Sequence, residues 1–140
     1  MERKQNPRSN VVAKNDQGEE GIRMTARHLQ EASRIFRRLP KEQAFYFFTS
    51  VGNYTGESAA SLEEFIEKIK EVNAKSLEFH LSRGDFEKWT ADVLQDTELA
   101  GDIKRLQKLN LTGNSLRDQL NFTISRRFKH LTDHSSTSRL

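Results

Sequence analysis

Between residues 61 and 72 the chain carries its most constraining feature. Leu62, Phe65, Ile66, Ile69 and Val72 recur three and four apart, directly behind Ser61 and Glu64. Side chains at that spacing meet on one side of a 3.6-residue turn, so the segment buries them together only as a helix. Ser61 followed three residues later by Glu64 is a capping box, in which each side chain takes up a backbone N–H that the first turn leaves without a partner. The same pattern extends in both directions. Thr25 is placed to cap a helix bearing Leu29, Ala32, Ile35, Phe36 and Leu39. Pro40 ends that helix by disfavouring helical geometry in the residue before it, and it suits the start of a short second helix. Asn73 or Ser76 caps a segment with Leu77, His80 and Leu81 on one side, and Gly84 is its left-handed stop. Asp85 is then expected to cap the next helix, with Phe86, Trp89, Thr90, Val93 and Leu94. Asp96 caps one with Leu99, Ile103 and Leu106. A last helix carries Leu116, Leu120, Ile124, Phe128 and Leu131.

One segment resists this treatment. The stretch from Ala44 to Val51 contains four consecutive aromatics with no clear period, and it fits a buried helix or a buried strand. The following stretch, from Gly52 to Gly56, reads as a loop. No alternating strand pattern occurs elsewhere, so the expected fold is all-α, a compact bundle of five to seven short helices. The expected domain runs over residues 24–132. Residues 1–23 are polar and lack aromatics, and residues 133–140 are rich in Ser and Thr, so both ends are expected to be disordered. A charged fraction of 31% against a hydrophobic fraction of 34% agrees with a modest core and polar ends.

The composition excludes several classes of function. With no cysteine there is no disulfide framework, thiolate metal site or cysteine nucleophile. No apolar run approaches the ~18 residues that a membrane span needs, and the first residues lack the apolar stretch of a secretory signal. No membrane association is expected, and the cytoplasm is the expected location. The glycines near residue 52 are not followed by the Lys-Ser/Thr of a phosphate loop. Neither a Gly-x-Ser-x-Gly elbow nor a paired-glycine cofactor fingerprint is present, so no cofactor is implied. His130 and His134 share a helical face but have no third ligand beside them, and no metal site is expected.

Three groups of residues carry what chemistry the sequence offers. The first is His80, Arg83, Gly84, Asp85 and Trp89. A His with a carboxylate can perform acid–base work, and an Arg can hold an anion. The competing explanation is structural: Gly84 and Asp85 form a helix joint, Trp89 is core, and His80 is a buried imidazole satisfied by a backbone carbonyl or by Asp85. The structural explanation accounts for more of these residues. The second group is the aromatic run, where Phe45, Phe47 and Phe48 read as core while Tyr46 and Tyr54 are candidate partner contacts. The third is charge. The net charge is +3, but residues 24–38 hold four arginines against Glu31, and residues 57–110 hold eight basic and twelve acidic residues. Arg34, Arg37 and Arg38, with Arg126, Arg127 and Lys129, would meet phosphates if the first and last helices lay side by side. The ordinary alternative is that cations gather at helix C-termini, where the macrodipole favours them.

The stretches from Phe45 to Gly56, from Ser61 to Phe65 and from Ser76 to Trp89 resemble an uncharacterised prokaryotic family, chiefly archaeal, classed as a domain of unknown function. The most specific part is His80-Leu-Ser-Arg83-Gly-Asp-Phe-Glu-Lys-Trp89. The similarity covers about residues 40–131. The family pattern has a Gly-Asp pair after the Trp-bearing helix, where this chain has Gln95-Asp96. The resemblance implies a compact helical domain in a prokaryotic cytoplasm and implies no activity. The expected function is therefore a non-catalytic module that binds another protein. The alternative is electrostatic binding of nucleic acid through Arg34, Arg38, Arg126 and Lys129, and a third reading is an enzyme using His80 with Asp85.

Overall fold

The aromatic run is a strand, and the fold is α+β rather than all-α. Phe45–Ser50 (β1) and Asn53–Ala59 (β2) form an antiparallel hairpin in which Ser50 faces Asn53. Phe45 and Phe47 are buried while Tyr46 between them is exposed, the period of two that a pleated strand imposes. Gly52, at φ +77°, takes the left-handed position of the two-residue turn. The segment from residue 53 to 56, expected as a loop, is therefore the first half of β2. Register shifts on either side of Phe48 mark bulges. Thr55 bridges one of them, its hydroxyl donating to Phe47 O (2.8 Å) and accepting from Glu57 N–H (3.0 Å).

The computed structural model describes residues 26, 27 and 29–138, with side chains described as far as Asp133. The expected tail over residues 1–23 and the expected cap Thr25 lie outside the described residues. Two compact units divide the chain, Met1–Ala32 with Leu131–Leu140, and Ser33–His130. The described parts of the first unit are helical, with Ala32 and Leu131 buried.

The second unit holds the hairpin and most of the helices. The end of α1 (helical at residues 26, 27 and 29–35) is followed by a single 3-10 turn, Lys41–Gln43, that starts directly after Pro40. Beyond the hairpin come α2 (Leu62–Glu71), α3 (Ala74–Arg83), α4 (Asp85–Asp92), α5 (Thr97–Gln107) and α6 (Gly113–Ser138). The backbone of α6 continues past the boundary at 132 that the sequence suggested.

Local signals place these helices well. Ser61 Oγ accepts from Glu64 N–H (3.1 Å), and the Glu64 carboxylate returns to Ala60 N–H (2.8 Å). That bond, followed by the one from Arg38, holds the Glu64 carboxyl below its usual pKa. Asn73, not Ser76, caps α3 by accepting from Lys75 N–H (2.8 Å). Asp96 caps α5 by accepting from Leu99 N–H (3.1 Å). Arginines close other helix ends: Arg37 donates to Val93 O (2.6 Å) after α4, and Arg117 donates to Ile69 O (2.8 Å) in the last turn of α2.

The core centres on aromatics. Phe47, Phe65 and Phe86 are fully buried, and Phe45 packs on Phe86 at 5.1 Å between ring centres. Trp89 lies 4.8 Å from Phe65 and donates its indole N–H to Gln43 O (2.8 Å). Strand β1 is thereby fastened to α2 and α4 by large rings. On the far side, Leu99, Ile103, Leu116, Leu120 and Ile124 are sealed from solvent. Arg127 of α6 is buried beside the fully buried Asp96, with Nε 2.9 Å from Oδ2.

Candidate functional site

The joint between α3 and α4 builds a polar cluster around a buried imidazole. Gly84, at φ +79°, ends α3 with its N–H turned back to His80 O and Leu81 O. A side chain with a Cβ is strained in that left-handed conformation, whereas glycine is not. Helix α4 begins at once with Asp85. The expectation that Asp85 caps α4 is corrected: the cap position is Gly84, and the carboxylate turns back over the joint instead. Its Oδ2 lies 2.8 Å from His80 Nδ1 and accepts from Arg83 Nε at 3.1 Å.

His80 is 4% exposed. Its Nε2 accepts a 2.8 Å hydrogen bond from the backbone N–H of Phe48 on β1. A nitrogen that accepts from an amide carries no proton, so the neutral ring holds its proton on Nδ1 and donates it to Asp85. The imidazole is thus a buried residue satisfied by Asp85, as the structural explanation anticipated. Its second partner is a backbone N–H rather than a carbonyl. Burial holds its pKa below the usual 6.5, outweighing the opposing pull of Asp85. Rings surround it, with Phe45 at 4.8 Å, Phe79 at 5.0 Å and Phe86 at 5.6 Å. The dyad has the outline of an acid–base pair, but its basic lone pair is committed to Phe48.

Beside this cluster a cleft of about 330 Å³ opens between β1 and α3. Phe45 and His80 border it on the inside. Phe48 and Phe79 contribute its walls, and Arg83 and Val51 stand at its edges. The Arg83 guanidinium lies over the Phe79 ring at 4.9 Å. Around the hairpin the aromatic surface continues: Tyr46 and Tyr54 are 5.9 Å apart, and Tyr54 is 5.3 Å from Phe48. Tyr46 is 38% exposed, Tyr54 47% and Val51, at the turn, 82%. The Tyr46 hydroxyl donates to Lys41 O (2.7 Å), which orients the ring without burying it.

The structure thus brings His80, Arg83, Gly84 and Asp85 together with Tyr46, and it places Trp89 in the core behind them. Sequence reasoning missed Phe48 and Phe79 as cleft residues. Phe79 stands four residues before Arg83 on one helix, an aromatic–cation pairing that was legible. Nothing local marked Phe48.

The cations are engaged differently, although Phe36 packs 5.2 Å from Phe128 and so brings the end of α1 against α6. Arg127 is spent on Asp96, and Arg37 donates to Arg34 O (2.5 Å) and to Val93 O. Arg38 pairs with Glu64 at 2.8 Å. Arg34, Arg126 and Lys129 are exposed, with Arg126 5.3 Å from the Phe122 ring. Arg126 and Lys129 lie inside α6 rather than at its C-terminus, because that helix runs on to Ser138. His130 is described, whereas the side chain of His134 lies outside the described residues. Among the described residues, no three His, Asp or Glu side chains form a group that could hold a metal ion. No helix among them is long and apolar enough to cross a membrane.

A hairpin fastened to helices by aromatic packing, with an open apolar cleft at the seam, defines a small α+β fold. Neither the curated proteins nor the solved structures contain a match. The chain belongs to a family of unknown function, DUF5752, whose model matches residues 18–125. That match begins earlier and ends earlier than the resemblance read from the motifs.

Proposed function

We propose that this chain is a non-catalytic module that docks another protein on the surface formed by the hairpin turn and the β1–α3 cleft, in a prokaryotic cytoplasm. One observation carries the reading: Val51, Tyr54 and Tyr46 are exposed side by side with an apolar cleft. Large apolar side chains gathered beside a concave surface mark interaction sites, whereas scattered ones need no explanation. The commitment of His80 to Phe48 and Asp85 supports a structural role for that dyad over catalysis.

The test is affinity capture of the tagged chain from its native lysate, with and without nuclease, comparing wild type with Val51→Asp. Val51 touches little and precedes the turn glycine, so the variant should melt with the wild type. The expected result is a stoichiometric, nuclease-resistant protein partner that Val51→Asp loses. A partner held equally by both proteins would refute the assigned surface. Partners that vanish with nuclease would favour the alternative, nucleic-acid binding through Arg34, Arg38, Arg126 and Lys129, which predicts affinity falling steeply with salt.

A further inference from the structure

We infer that the β1–α3 cleft recognises an apolar C-terminal residue of a partner chain, with Arg83 receiving the terminal carboxylate. This rests on the docking reading above and names the chemistry of its anchor. The cleft, about 330 Å³, lies at the lower end of the range of roughly 300–1,000 Å³ found for ligand pockets. It has room for one large side chain rather than an extended ligand. Its walls, Phe48 and Phe79 above Phe45, select an apolar group.

Arg83 supplies the polar element. Its Nε is held by Asp85 at 3.1 Å and its plane lies over Phe79 at 4.9 Å, so the guanidinium is oriented before any ligand arrives. Its two terminal amino groups make no hydrogen bond among the described residues, and the side chain is 51% exposed. A planar fork held at the edge of an apolar cleft matches a carboxylate presented by the same residue that fills the cleft. A chain terminus places both groups on one residue. The opposite choice, a cationic ligand among the rings, fits less well. Arg83 already covers Phe79, and the Asp85 oxygen nearest His80 accepts from both His80 and Arg83.

The test uses three probes on the full chain, read by amide shifts of Phe48 and Gly52 in two-dimensional NMR: N-acetylphenylalanine, its C-terminal amide, and 2-phenylethylammonium. The acid should bind roughly three- to tenfold tighter than the amide, the range for one charge-assisted contact at a half-exposed arginine. That preference, read as the ratio of acid to amide affinity within each variant, should vanish in Arg83→Met and in Arg83→Gln. Equal binding of acid and amide would overturn the inference, as would tighter binding of the ammonium probe or a preference that survives both variants. If no probe binds, the anchor fails as well. The docking surface is judged separately by the Val51→Asp capture, so the two readings can fail independently.

Discussion

Replacing His80 with leucine tests the link between the hairpin and the helices most directly. Leucine keeps much of the volume and all of the apolar packing against Phe45 and Phe86, but it removes both hydrogen bonds. The Phe48 N–H then faces an apolar group in a part-buried position. Leaving such a donor unsatisfied costs about 1–3 kcal/mol. Asp85 loses its imidazole partner but keeps Arg83 and is partly exposed to water, so its share is at most about 1 kcal/mol. The sum, about 1–4 kcal/mol, is a sizeable part of the roughly 5–15 kcal/mol that holds a typical domain together. Urea unfolding followed by the fluorescence of Trp89, a buried indole near Phe45, measures it. His80→Gln, which offers an acceptor to the same amide, should recover part of the loss. A cost below about 0.5 kcal/mol for His80→Leu would refute the reasoning, since an ordinary surface substitution does as much. So would equal costs for the leucine and glutamine variants.

The remaining expectations follow from the same contacts. Because burial lowers the pKa of His80 below 6.5, the unfolded chain takes up the proton first. His80's contribution to stability is complete above pH 6.5 and drains away as the pH falls from there toward the folded-state pKa. Urea midpoints at pH 7.5 and 5.5 should show this fall in wild type, and a fall of equal size in His80→Gln would contradict it. Trp89→Ala removes a buried ring together with its bond to Gln43 and should cost about 3–5 kcal/mol, close to unfolding the domain; circular dichroism decides. Gln95 sits at φ +61°, where a non-glycine residue is strained by about 1–2 kcal/mol. After the greater unfolded-state freedom of glycine is subtracted, Gln95→Gly should stabilise by roughly 0.5–1 kcal/mol. A lower melting temperature would show that the Gln95 side chain makes a contact that outweighs the strain. Arg127→Met leaves Asp96 charged and buried and should cost about 3–5 kcal/mol, whereas adding Asp96→Asn should return much of it. Equal losses in the single and double variants would deny the coupling.

The sequence by itself determined most of the helices and several of their ends, though α1 stops at residue 35 rather than at Leu39. Ser61 with Glu64, Gly84 and Asp96 act through neighbours at most four residues away, so their spacing alone reports what they do. The periodicity of Leu62 to Val72 and of Leu116 to Ile124 likewise named the buried faces. What local signals left undecided were the partners that folding brings from far along the chain. Four aromatics in a row suit helix and strand alike. They resolve into β1 because β2 supplies the ladder and because Phe65, Phe86 and Trp89 arrive to bury one face. Arg127 reads as a surface cation until Asp96, 31 positions away, is placed against it. Asp85 has every mark of a cap, yet its carboxylate turns to His80, whose other nitrogen is claimed by an amide 32 positions back. The cleft belongs to neither β1 nor α3 alone. Capping and periodicity act within one or two turns and can be read along the chain. Strand pairing, buried charge and concave surface depend on long-range contacts, and only the tertiary structure decided those.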